Sequence, residues 1–310
     1  MACMQETHLP RPGMAREFAL LAALATLWGV SYTFIKLGVA TIPPLTLIAA
    51  RTLIAGVLLL AIMRWRGLGM PRDGATWRRF LFQACLNSVI PWTIIAWAER
   101  SMDAGLATIL NSTSPIFTFL MLSALSPREA GSRRKLFGVV AGISGICLIV
   151  GPQALGGLGE RLAAEIATVV AAICYAGGAL FSRGFKGLDP LAPASGSLLC
   201  GAAVLVPVSL VVDHPWTLAP SVSSMLALLA LAVFSTALAF VIYFRLIQTL
   251  GPIGTTAQAY LRVPIGVAVG VVFLGESLTS TAWIGLACVV IGVAAMTMPA
   301  RNVVATGALS

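Results

Sequence analysis

Apolar residues run along this chain in ten long stretches, at roughly 17–37, 45–63, 80–98, 104–125, 134–151, 162–182, 191–212, 222–247, 253–274 and 279–299. A helix rises 1.5 Å per residue, so about 18 or more apolar residues can cross a hydrocarbon layer about 30 Å thick. Only short polar connections separate the stretches. The pattern predicts ten membrane helices and no extramembrane domain.

The second five stretches echo the first at an offset of 147 residues. Gly138 and Gly145 recur as Gly285 and Gly292, Glu129 as Glu276, and Lys36 as Arg183. Pro115 recurs as Pro264, with the offset slipping to 149. An odd number of spans per repeat makes the two halves cross a bilayer in opposite senses, an arrangement typical of secondary transporters with a midplane site. The expected fold is an all-α integral membrane protein. Ten transmembrane helices form two inverted five-helix repeats, 1–151 and 152–310, around a central cavity.

Composition agrees with a lipid solvent. Of 310 residues, 58% are hydrophobic and 10% charged, far from soluble averages. The first stretch is long and no small-residue cleavage site with a soluble domain follows it, so it reads as a span rather than a cleavable signal peptide. A net charge of +9 raises the question of nucleic acid, but position answers it. With the amino terminus cytoplasmic, fifteen basic residues fall inside and three outside (Lys36, Arg100 and Arg161), while Arg51 and Arg262 lie within spans. That is the positive-inside bias, and it places both termini in the cytoplasm of an inner-membrane protein. No nucleic-acid partner is expected; the partners are a small solute and lipid.

Cys85, Cys147, Cys174, Cys200 and Cys288 lie inside apolar spans and Cys3 in the tail, with no CxxC pair and only His8 and His214 to assist. They read as small buried hydrophobes. Neither a metal site nor a cofactor is expected.

Small residues mark where membrane helices approach closely. Gly138, Gly142 and Gly145 form one stripe on the fifth span, echoed by Gly285 and Gly292 on the tenth. This stripe suits packing within the chain or a weak homodimer of an otherwise monomeric protein. Other spans are polar at depth: Trp28, Ser31 and Tyr32 on the first, Gln83 and Asn87 on the third, Asn111 and Ser112 on the fourth, Gln258, Tyr260 and Arg262 on the ninth. Tyr175 stands on the sixth where the first has Trp28. Unpaired polar groups are costly in hydrocarbon, so these side chains should face a wet interior. Spans 1, 3, 4, 6, 8 and 9 should surround the path, with 2, 5, 7 and 10 outside. Trp28, Tyr175 and Tyr260, at one depth, offer a stacking surface. Trp65, Trp77, Trp97, Trp216 and Trp283 lie near span ends, as interfacial anchors do.

Prolines interrupt this polar layer. Pro115 and Pro264 each free a carbonyl four residues earlier, at Asn111 and Tyr260, and Pro91 adds a distortion in span three. Such carbonyls suit a ligand's amino group; kinks that only shape packing are the other reading. Arg262 lies about 15 Å along span nine, near the bilayer centre, where an arginine costs roughly 2.5–3.5 kcal/mol. No acid stands at that depth. Two roles fit: receiving a solute carboxylate through a charge-assisted bond, or capping carbonyls freed near the prolines. Tyr260 and Arg262 differ by about 200° around a regular helix, so both face one cavity only if the helix is distorted. Arg51, near the outer end of span two, is expected to snorkel as a bundle anchor.

In order and spacing, ALATLWGVSYTFIKLGV, IAARTLIAGVLLL, NSTSPIFTFLMLSAL, AYLRVPIGVAVGVVFLGESLT and WIGLACVVIGVAAM resemble the ten-span EamA-type branch of the drug/metabolite transporter superfamily. More narrowly the chain resembles YddG-type exporters of aromatic amino acids. The resemblance implies two inverted repeats, a central cavity, alternating access and export of amino acids or related metabolites. The chain departs from the pattern where Pro127-Arg128-Glu129 stands in place of Gly275-Glu276. With no midplane acid, a neutral or zwitterionic solute fits better than a cationic drug, and export down a gradient is the default. A multidrug or other metabolite carrier is the alternative. A lipid-acting enzyme would need clustered acids and histidines, which this chain lacks. A structural partner would have no need for buried polar spans.

Overall fold

A computed structural model describes residues 13–98, 109–126, 133–151, 158–159, 161–265 and 280–298. Among these residues the regular structure is entirely helical. The helices are α1 (Met14–Gly38), α2 (Pro44–Trp65), α3 (Gly74–Ala84), α4 (Ile90–Ala98), α5 (Ser114–Leu125) and α6 (Arg133–Val150) in the first half. The second half holds α7 (Leu162–Ser182), α8 (Leu191–Val212), α9 (Val222–Ala232), α10 (Ala239–Thr249), α11 (Gly251–Thr256), α12 (258–265) and α13 (Ser280–Thr297). Two π-helical segments complete the path: π1 (Cys85–Val89) joins α3 to α4, and π2 (Val233–Leu238) joins α9 to α10.

Among the described residues five runs are long and apolar enough to cross a membrane: Met14–Ser31, Pro44–Trp65, Leu162–Phe185, Leu191–Val212 and Val222–Thr249. The side chains are distributed as lipid requires. Val57, Phe137, Val211 and Ile284 are at least half exposed, whereas Thr52, Ser195, Ser197 and Thr255 are fully buried on the same or neighbouring helices. Buried hydroxyls bond back to the helix carbonyl three or four residues earlier, as Thr52 does to Ala49 at 2.8 Å and Ser197 to Pro193 at 2.6 Å. Apolar atoms thus face outward, and small polar ones fill the helix contacts.

Helix ends follow ordinary chemistry. Asp73 caps α3 by accepting from the Thr76 amide at 2.7 Å, and Ser221 caps α9 by accepting from the Ser224 amide at 3.2 Å. Pro44 and Pro252 occupy first turns, where the missing amide hydrogen costs nothing. Trp65, Trp97, Trp216 and Trp283 are exposed near helix ends. Trp77 differs: its indole is part-buried and donates to the Pro71 carbonyl at 2.9 Å.

The packing respects the repeat. α2 lies along α8, and α6 along α13, each pair joining equivalent elements of the two halves. α1 packs on α9 and α10 as α7 packs on α4 and α3, so exchanging the halves preserves these neighbours. The glycine stripe is consumed within the chain. A Cβ on Gly145 would lie 2.6 Å from the Gly285 carbonyl oxygen, and one on Gly138 2.6 Å from that of Gly292. Only hydrogen fits there, so the backbones of α6 and α13 touch.

The distortions fall differently around the prolines. The run Ile109–Leu125 breaks at Ser112 and Thr113, in the turn between Asn111 and Pro115, and α5 restarts with Pro115 in its first turn. Span nine breaks at Ala257, seven residues before Pro264, which lies within α12. In span three the distortion is π1, completed just before Pro91. Span eight carries the equivalent π2 at an offset of 148 with no proline at all. Glu129, Glu276 and Pro127 lie outside the described residues.

Candidate functional site

A cavity of about 470 Å³ opens among the helices, lined by residues from α1, α2, α4, α5, α7, α10, α11 and α12 and from π1. Part of its wall comes in repeat-equivalent pairs. Trp28 and Tyr175 line it at an offset of 147, as do Asn111 and Gln258, and Trp92 and Phe240 at 148. The rings contact one another edge-on or tilted. Trp28 meets Tyr243 at 5.7 Å between centroids and Phe240 at 6.3 Å, and Trp92 meets Phe240 at 6.1 Å. Aromatic pairs favour such offset geometries.

Two arginines break the symmetry. The Arg51 guanidinium lies 3.9 Å from the centre of the Trp92 ring, and its Nε donates to Thr236 Oγ1 at 3.0 Å. Thr236 belongs to π2, whose wide turn lets its hydroxyl also donate to the Leu231 carbonyl five residues back. Arg51 is 4% exposed, so the expectation that it snorkels is wrong. Instead an aromatic face and a hydroxyl hold its charge in the interior, an arrangement that desolvation strengthens. Arg262, half-buried, projects from α12 with its guanidinium 5.1 Å from the Trp28 ring centre. Its Nε donates to Gln258 Oε1 at 2.9 Å, one helical turn away. A side-chain amide, rather than a proline-freed carbonyl, thus partners it. No Asp or Glu is among the described lining residues.

The predicted site residues divide into two groups. Trp28, Asn87, Asn111, Tyr175, Gln258 and Arg262 line the cavity. Gln83, Ser112 and Tyr260 do not. Tyr260 is fully buried, rests on Gly142 of α6 and donates to the Val139 carbonyl at 3.2 Å. It takes the face of span nine opposite Arg262, which resolves the 200° conflict in favour of the arginine. Gln83 is fully buried below π1, beside Asn87 and facing Gly178 of α7. The π turn displaces the i, i+4 register, so only Asn87 reaches the cavity. Ser112 is buried in the chain break, and Ser114 lines the cavity in its place. The Tyr32 side chain lies outside the described residues.

Sequence reasoning also missed several residues. Span two was expected outside the path, yet Pro44, Leu47, Ile48 and Arg51 all face the cavity. Trp92, Phe240 and Tyr243 complete its aromatic wall. An arginine inside an apolar span, with a tryptophan in the neighbouring polar span, was the available signal for the Arg51–Trp92 pair. Phe240 and Tyr243 offered none, because aromatic residues on an apolar helix look like filler.

A second cavity of about 590 Å³ is lined by Lys135, Arg183, Lys186 and the chain from Gln248 to Ile253. Aromatic contacts lead toward it from the first, from Phe240 to Phe244 at 6.2 Å and on to Phe185 at 6.1 Å. Nearby, Glu17 ties α1 to α10 by accepting from Thr249 at 2.7 Å and pairing with Arg245 at 3.4 Å.

Known proteins share this organisation. Over 297 residues the chain is 29% identical to the uncharacterized inner membrane transporter YedA of Escherichia coli (strain K12), covering 93% of this chain and 94% of that one. It is 26% identical over 288 residues to the uncharacterized transporter YvbV of Bacillus subtilis (strain 168), covering 89% of each. It is 23% identical over 274 residues to protein PecM of Dickeya dadantii (strain 3937), covering 87% and 88%. A solved crystal structure with 18% identity superposes at a TM-score of 0.76, over 91% of this chain and 97% of that one, a likeness of fold. The EamA-like transporter family matches residues 16–151 and again 162–298. Matched twice and over most of its length, the chain belongs to the EamA-like transporter family, within the drug/metabolite transporter superfamily.

Proposed function

We propose that this membrane transporter exports amino acids, aromatic ones favoured, through the central cavity. The observation that carries the reading is the pairing of two guanidinium groups with an aromatic wall in a space with no acid among its described lining residues. A carboxylate entering such a site gains charge-assisted bonds that water does not contest. The rings of Trp28, Trp92, Tyr175 and Phe240 take an aromatic side chain by stacking. The Arg262 fork is the carboxylate receptor, since its Nε is already fixed by Gln258 and its terminal nitrogens have no partner among the described residues. Arg51, clamped between Trp92 and Thr236, supplies positive potential and shape.

The setting in this reading is the inner membrane, with both termini cytoplasmic, as the basic loops favour. The two repeats run in opposite senses and expose the cavity alternately to either side. The exchange-invariant packing of α1, α3, α4, α7, α9 and α10 supports that geometry. The resemblance to YddG-type exporters supports the substrate class. Flux from liposomes loaded with labelled phenylalanine, leucine or lysine tests it. The order phenylalanine, then leucine, then lysine is expected; no accelerated flux of any of them would overturn the reading.

A further inference from the structure

Of the three amides facing the cavity, Asn111 and Gln258 are repeat equivalents, yet they are not used alike. In the second half Gln258 Oε1 accepts from Arg262. In the first half no arginine matches Arg262: the 147 offset that pairs the amides gives Pro115, and the 149 offset gives Thr113, whose hydroxyl donates to the Leu110 carbonyl at 2.6 Å. Asn111 therefore has no arginine of its own. Its Oδ1 is buried and meets no donor among the described residues, although the residue lines the cavity. A desolvated acceptor without a donor is disfavoured, so the site is complete only when something donates to it.

We infer that Asn111 Oδ1 receives the α-ammonium group of the solute, so that the cavity selects amino acids over the corresponding deaminated acids. This inference rests on the amino-acid reading above and narrows it. The cavity then carries both halves of a zwitterion's complement. A guanidinium on α12 meets the carboxylate, and an acceptor before α5 meets the ammonium. A charged donor to a neutral amide oxygen makes a stronger bond than a neutral donor does. The arginines alone would favour any carboxylate, and with two cations and no acid among the described lining residues they would favour a net anion over a zwitterion. Asn111 offers a buried, otherwise unused acceptor to offset that bias.

The test measures binding to the purified full chain by quenching of tryptophan fluorescence, and flux in liposomes, with three probes. These are phenylalanine, 3-phenylpropionate (no amino group) and phenethylamine (no carboxylate). The wild type should bind phenylalanine at least tenfold more tightly than 3-phenylpropionate. Asn111→Leu, close in volume, should erase that preference while 3-phenylpropionate binding stays within about twofold, which also shows that the variant folds. Asn111→Asp should strengthen phenethylamine binding at least tenfold, because a carboxylate replaces a neutral acceptor. If Asn111→Leu keeps the wild-type preference, or if Asn111→Asp gains nothing for phenethylamine, the assignment of Asn111 fails while amino-acid export stands. If the wild type neither binds nor moves phenylalanine, both fail together.

Discussion

The seam between α6 and α13 and the central cavity are built from the same repeat, and they treat its symmetry in opposite ways. In the seam the sequence echo is kept where contact is closest: Gly138 faces Gly292, and Gly145 faces Gly285, with room only for hydrogen. In the cavity the paired positions survive as types, Trp28 with Tyr175 and Asn111 with Gln258, but at the same offset Arg262 meets Pro115 and Arg51 meets the buried Leu198. A pseudo-twofold backbone contact needs equal residues on both sides. A solute with unlike ends needs unequal ones. The difference teaches that the repeat supplies architecture, and its departures supply recognition.

The comparison breaks most severely at the seam. Gly145→Leu would drive a side chain into the Gly285 carbonyl and Val289, and neither helix can yield without separating from the other. Loss of folded protein, read by size-exclusion chromatography after extraction, is expected for this variant. Overpacking at ordinary core sites costs about 1–3 kcal/mol, and a backbone-to-backbone clash exceeds that. Next comes the cavity. Arg262→Ala should lower phenylalanine flux by about a hundredfold, from loss of a charge-assisted bond worth about 1.5–3 kcal/mol, with the melting temperature near wild type. Arg262→Lys should recover part of the flux, since a point charge replaces the fork.

Smaller effects sharpen the boundary between the two regions. Tyr260→Phe removes the bond to the Val139 carbonyl and should cost about 1 kcal/mol in thermal stability, leaving flux unchanged. Gln83→Leu exchanges a buried amide whose two polar atoms lack partners for an apolar group. Its stability should be equal to or above wild type, again with unaltered flux. A strong transport defect in either variant would place the cavity's edge elsewhere.

How much of this was legible in the chain depends on what carried each feature. Apolar run length carried the described helices, and the glycine echo marked a close-packing face on α6 and α13 without saying that the two faces meet. Depth of polar side chains carried Trp28, Asn87, Asn111, Tyr175, Gln258 and Arg262 to the cavity. The same criterion misplaced Gln83 and Tyr260, since depth says nothing about azimuth. The register also shifts at π1, π2 and the breaks at Ser112–Thr113 and Ala257. Those shifts have no single residue signature: π2 lacks a proline, and the break at Ala257 lies seven residues before Pro264. Arg51 was misread for a related reason. Its closeness to a helix end suggested escape to the interface, while Trp92 and Thr236, distant in sequence, hold it inside.

Ser112 and Ser114 bracket the central claim within one turn of chain: both are buried, but only Ser114 lines the cavity. With the native cysteines replaced, single cysteines at these two positions can be treated with a water-soluble methanethiosulfonate in the reconstituted protein. The Ser114→Cys variant should react readily and be shielded by phenylalanine, while Ser112→Cys should stay inert. An unreactive Ser114→Cys, or one that phenylalanine does not protect, would contradict a hydrated, solute-binding cavity at this place.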